Sequence, residues 1–175
     1  MNTLELTQYA LGFAFDLLEQ VIGDLTQEEA DWMPPGTANP IGSLYWHIIS
    51  YVDELVHDWA IGGRSLKEVA GWEGRVVTTM PPRDPEDPMG ELRAIREGLR
   101  VDLPTMHDYA QATRQVLEDW LATLTPEDLD RTIETTIGEL NLAQMLAAYV
   151  VWHINVHCGE IAALKGCQGL AGYPW

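Results

Sequence analysis

The chain has 175 residues, 46% of them hydrophobic, with 27 acidic against 10 basic side chains and a net charge of −17. That apolar fraction is enough for the core of one domain spanning 1–175 and excludes a disordered chain. Ten cations on so acidic a chain cannot serve a phosphate backbone or an anionic lipid surface, which argues against nucleic acid and membrane as partners. The two cysteines, Cys158 and Cys167, lie too far apart along a helix to pair, so the fold does not rest on a disulfide. The N-terminus carries acids and no basic stretch ahead of an apolar run, and no apolar run reaches membrane-spanning length. A cytoplasmic location is the expectation.

Apolar residues recur at helical spacing from Thr3 to Gly23 and predict a first long helix. Thr26-Gln27-Glu28-Glu29 is a capping box that opens a short turn, broken by Trp32-Met33-Pro34-Pro35-Gly36. Asn39-Pro40 reads as an N-cap followed by proline at the first helical position. The second long helix then runs to about Ala60, where Gly62-Gly63 ends it. Gly62 to Leu103 is irregular and rich in proline, with a short helix expected from Pro88 to about Arg100 behind an Asp87 cap. A connection this long crosses the body of a domain or covers a site.

Asp102-Leu103-Pro104 opens the third long helix, which continues to about Leu124. Thr125-Pro126-Glu127-Asp128 caps a single turn. Thr132 to Ile137 is β-branched and extended, and too short to seed a sheet alone. Asn141-Leu142-Ala143-Gln144 caps the fourth long helix, which runs to Lys165 with Gly166 at its end. The aromatic tail, Gly169 to Trp175, is expected to pack down. Four long amphipathic helices with almost no strand pattern predict an all-α fold, an antiparallel four-helix bundle with a long connection between helices two and three. Such bundles build their cofactor sites in the core, from side chains on facing helices.

The chemistry concentrates at His153-Ile-Asn-Val-His157. Two imidazoles four residues apart stack on one helical face, the spacing at which one helix offers two nitrogens to one metal ion. They stand in an apolar segment, where a charged or unpaired ring is costly. His47 lies in the other apolar segment, Ile41 to Trp59. Three neutral histidines from two helices would leave a coordination position open for water or substrate. The bland reading is a set of hydrogen-bonded core or surface histidines. Each helix repeats a pattern: Trp46-His47-Ile48, then Tyr51 and Glu54; Trp152-His153-Ile154, then His157 and Glu160. Offsets of four and seven hold each set on one face.

Glu54 and Glu160 are therefore candidates to orient a histidine or to act as general base, against the alternative of a solvated charge or a structural ion pair. Tyr51 is a candidate hydrogen-bond donor to the pocket, or simply a core aromatic. Trp46 and Trp152 point elsewhere and are expected to pack between helices. His57 falls off the His47 face and reads as a surface histidine. His107 reads as a surface or site-mouth residue, and Cys158 as a small buried apolar side chain. No Ser-His-Asp pattern, phosphate loop or nucleotide fingerprint stands out.

These features together resemble the DinB-like (DinB/YfiT) family of metalloenzymes. The resemblance rests on Trp46-His47-Ile48 with Asp53-Glu54, on His153-x-x-x-His157 followed by Gly159 and Glu160, and on a helix ending in Lys165-Gly166. The turn Thr125-Pro126-Glu127-Asp128-Leu129-Asp130 is similar too, and the likeness extends from Leu4 to Gly166. It implies the DinB/YfiT type of four-helix bundle, a divalent metal (zinc or nickel) on His47, His153 and His157, and a homodimer. It further implies a transferase that joins a low-molecular-weight thiol to a small electrophile. A metal-dependent hydrolase with Glu54 or Glu160 as base is the alternative, and a non-catalytic metal- or ligand-binding helical dimer is the rival from another class. Family members often carry Arg-Gly-Gln after the second histidine of the pair, where this chain has Cys158-Gly159-Glu160. An arginine that could meet an anionic thiol or substrate is thus replaced here.

Overall fold

The structure, a computed structural model, describes residues 1–81, 86, 98–135 and 138–173. It is mostly helical. Helix α1 (Thr3–Ile22) begins at a reciprocal cap, with the Asn2 side chain accepting from the Glu5 amide and the Glu5 carboxylate accepting from the Asn2 amide, both at 2.9 Å. Helix α2 (Gln27–Asp31) starts at the Thr26–Glu29 capping box. Helix α3 (Ile41–Val56) starts one residue later than the sequence predicts. Pro40, extended, occupies the N-cap position, and no side chain caps the helix. Three short elements follow: α4 (Leu66–Val69), α5 (Trp72–Val76) and β1 (Val77–Thr79). Strand β2 (Arg100–Val101) pairs antiparallel with β1, so the middle of the long connection meets its C-terminal end. Most of the helix expected between Pro88 and Arg100, with its Asp87 cap, lies outside the described residues; Arg100 itself is in β2.

Helix α6 (Leu103–Leu121) is capped by Asp102, whose carboxylate accepts from the Thr105 amide at 3.0 Å. It ends three residues before the predicted Leu124. A 3₁₀ turn, Pro126–Asp130, carries the Thr125–Asp128 capping box. Thr132–Thr135 (β3) then pairs antiparallel with Gly138–Asn141 (β4), from Thr132 opposite Asn141 to Thr135 opposite Gly138. The extended segment thus finds its partner in the residues just after it, a pairing the sequence reading did not anticipate. Residues 136–137 lie outside the described residues. Helix α7 (Leu142–Met145), capped by Asn141 and Gln144, runs through a π-helical turn, Leu146–Val151, into α8 (Trp152–Cys167). A second π-helical turn, His57–Ile61, prolongs α3 to Gly62, whose φ of 85° ends it. Among the described residues no helix is long and apolar enough to cross a membrane.

Both α1 and α3 pack against α6 and α8, and the core lies between them. Helix α3 is buried almost all round, as expected of a helix apolar on every face. Its three residues that are not buried are His47, Tyr51 and Glu54. They form one stripe, at offsets of four and seven. The helix that carries most of the core thus opens to its surroundings along the line of candidate site residues.

Two buried ionisable groups tie the layers together. Lys165 on α8 is only 2% exposed, and its Nζ donates to the Val21 carbonyl at 3.0 Å and to Asp24 Oδ1 at 2.6 Å. This clamps the end of α8 to the end of α1 and satisfies an otherwise costly buried cation. Asp53 on α3, 1% exposed, accepts from the Leu66 amide at 2.9 Å, the Lys67 amide at 2.7 Å and the Tyr109 hydroxyl at 2.7 Å. Asp53 therefore pins α4 and α6 to α3. Trp72 stacks on the other face of this arrangement, its ring centroid 5.3 Å from that of Tyr109.

Candidate metal centre

His47 projects from the open stripe of α3, while His153 and His157 project from α8, which packs against it. The ring centroids lie 5.1 Å apart for His47–His153, 5.1 Å for His47–His157 and 4.7 Å for His153–His157. One nitrogen from each ring lies within 4.8 Å of the other two. Tyr51 packs a turn away on α3, its ring stacked on His153 at 4.3 Å.

The donor set fits a metal ion. His153 is buried, and its Nε2 has no hydrogen-bond partner. A buried polar nitrogen without a partner costs about 1–3 kcal/mol, and coordination would relieve that cost. Burial first, and then the neighbouring His157 and His47 rings, together drive the His153 pKa down to about 3. His153 is therefore neutral at pH 7, the state in which imidazole ligates. His157 Nδ1 lies 2.9 Å from Glu160 Oε2. With Nδ1–H donating to that carboxylate, the lone pair of His157 resides on Nε2, the nitrogen available to a metal.

In metal-free protein the depressed His153 pKa has a consequence for stability. Above the unfolded value near 6.5 the ring is neutral in both states. Below it the unfolded chain takes up a proton that the folded chain refuses down to about 3. Stability should therefore fall steadily as pH drops through that window. Thermal melts in chelator at pH 7, 6, 5 and 4 check this. A His153→Asn variant should show a shallower decline.

The acidic candidates part company. Glu160 is hydrogen-bonded to His157. Glu54 instead forms an ion pair with Lys67, whose ammonium lies 5.8 Å from the centroid of the Trp46 ring. Among the described residues neither glutamate belongs to the set of converging ligand atoms. His57 is not a surface residue. It stands four residues after Asp53, off the one open stripe of α3, so its ring turns inward, where Nδ1 lies 2.8 Å from the Asp53 carbonyl oxygen and 3.1 Å from Asp53 Oδ1. Trp46 is fully buried, but Trp152 is 63% exposed rather than packed between helices. Because α8 turns His153, Ile154, Cys158 and Ile161 inward, Trp152 and Val156 face out. Cys158 is buried as predicted, and burial pushes its thiol up to about 12, so it is an inert packing group. His107 stands on α6, where Nδ1 lies 3.2 Å from the Tyr45 hydroxyl oxygen, and burial lowers its pKa.

Asp53 is the residue that the sequence reading missed. In the sequence it entered only as part of the Asp53-Glu54 motif, with no role of its own. A signal was present all the same: Asp53 shares its helical face with Trp46, Ile49 and Val56, all buried.

The profile of the DinB superfamily matches residues 10–161, from the middle of α1 to α8 and across all three histidines. A crystal structure of a conserved protein from Enterococcus faecalis has the same fold, with a TM-score of 0.74 at 18% identity over 94% of this chain and 96% of that one. No curated protein matches the sequence. With that profile covering most of its length, the chain belongs to the DinB superfamily.

Proposed function

We propose that this protein is a divalent-metal-dependent enzyme acting on a small electrophilic molecule, with zinc or nickel held by His47, His153 and His157. The observation that carries this reading is the buried, unpartnered Nε2 of His153 beside two further imidazoles. No carboxylate joins that set among the described residues, which favours a ligand position left for substrate over a closed structural site. The ion supplies Lewis-acid activation of a nucleophile at neutral pH. Transfer of a low-molecular-weight thiol to the electrophile is the reaction we favour.

The chain's own residues have distinct tasks in this reading. Glu160 holds His157 in the tautomer whose Nε2 faces the other rings. Tyr51 has its pKa raised by burial, so it remains a neutral phenol that can donate a hydrogen bond to substrate. Glu54, paired with Lys67, balances charge. Hydrolysis is the second reading. It is favoured by the Glu160 carboxylate, 37% exposed beside the cluster, which can accept a proton from water and pass it to solvent.

Elemental analysis of protein purified without a histidine tag tests the proposal; absence of zinc or nickel, with no uptake on addition, would overturn it. Glu160→Gln should weaken metal affinity by about 10–100-fold while leaving the fold intact, the usual effect of losing a carboxylate behind a ligating histidine. Competition with a chromogenic chelator measures that change.

A further inference from the structure

A groove runs between α1 and α6, and none of the three histidines of the candidate metal centre lines it. It encloses about 260 Å³, and its floor is Leu11, Phe15, Leu117 and Leu121, all buried. Gln8 and Glu118, both exposed, stand on the rim. A smaller cavity adjoins it and shares the Phe15 wall; Tyr45, His107 and Arg114 line that cavity.

Gly12 is the telling residue. It sits inside the 20-residue helix α1, where glycine is among the least favourable choices. Packing does not demand it. A Cβ built on Gly12 would meet no atom within 4 Å, and its φ is not in the left-handed region. What the missing side chain does is leave the groove open, because Gly12 is one of its walls.

The charges on and beside the rim choose the occupant: Glu118 stands on it, Arg114 and Glu19 line the adjoining cavity, and Asp16 pairs with Arg114. Arg114 lies 2.7 Å from Asp16, 2.7 Å from Glu118 and 4.0 Å from Glu19. Three carboxylates therefore surround one guanidinium, and the surplus is negative, in a chain whose net charge is already −17. A carboxylate or phosphate head would be repelled; a cationic head would be drawn in. We infer that the α1–α6 groove is a binding site for a small amphipathic cation, whose apolar body lies over Leu11, Gly12, Phe15 and Leu117 and whose charged head meets Glu118 and its neighbours. The ligand class is an alkyl or aryl amine or quaternary ammonium compound.

Octyltrimethylammonium and octanoate, at concentrations where both are monomeric, separate this from plain apolar adsorption. Isothermal titration calorimetry of the full chain should show saturable one-to-one binding of the ammonium compound and at least tenfold weaker binding of octanoate. Gly12→Leu fills the groove from a position where an added Cβ meets no atom within 4 Å. It should abolish binding while the melting temperature holds or rises and metal uptake at the histidines is unchanged. Glu118→Gln, on the exposed rim, should weaken the ammonium compound several-fold and narrow the gap to octanoate. Equal binding of the two probes, or ammonium binding that survives Gly12→Leu, would overturn the inference.

Discussion

Replacing His153 with alanine should reduce divalent-metal affinity by at least about 100-fold. Outer-shell partners of a ligating histidine are each worth about 10–100-fold, and a ligand is worth more. His153 is the most buried of the three rings and the one with an unpartnered nitrogen. In the wild-type protein, metal at a hundred times its dissociation constant should stabilise the fold by about 2.7 kcal/mol. At about 2–4 °C per kcal/mol for a chain of this size, the melting temperature should rise by about 5–11 °C on loading. The variant should show no such rise. Without metal, the loss of ring contacts is offset by removal of a buried polar atom without a partner, so the metal-free variant should melt within a few degrees of wild type. Metal titration followed by calorimetry reads both quantities. Uptake equal to wild type would mean that the three rings do not share an ion. A metal-free variant that fails to fold would point to a structural role instead.

Asp53→Ala should be the most destabilising single change away from the histidines, at about 3–5 kcal/mol, the cost of removing one partner of a buried ionic network. That corresponds to a fall in melting temperature of about 6–20 °C. The loss strands two backbone amides, those of Leu66 and Lys67, together with the hydroxyl of Tyr109. It also takes a partner from His57. Tyr109→Phe removes only one of these bonds and should cost about 1–3 kcal/mol. Urea unfolding of the two variants and of the double variant gives the coupling between them, which should be clearly non-zero for groups in direct contact. A cost below 1 kcal/mol for Asp53→Ala would show that solvent reaches the carboxylate and that α4 is held by other contacts.

The sequence alone determined the local features. Thr26, Asp102, Thr125 and Asn141 cap where their spacing to Glu29, Thr105, Asp128 and Gln144 says they should, because a cap needs only residues three apart. The pairing of His153 with His157 on one face, and of His47 with Tyr51 and Glu54 on another, follows from helical period in the same way. Family resemblance was legible in those motifs and in their order along the chain.

Tertiary structure decided everything that depends on partners distant in the chain. His47 stands about a hundred positions from the other two histidines, and only the packing of α3 on α8 closes that gap. The π-helical turns at His57–Ile61 and Leu146–Val151 each break the 3.6-residue period, and Trp152 follows the second; His57 is buried because α3 is covered everywhere except along the His47, Tyr51 and Glu54 stripe, a property only the packed helices decide. The role of Asp53 is not visible in the chain because its partners are 13, 14 and 56 residues away. Glu54 and Glu160 look equivalent in the chain, yet Lys67 captures one and His157 the other. Periodicity tells which residues share a face, but the contacts that bury a charge or gather three ligands are made between faces, and their energies appear only once the helices meet.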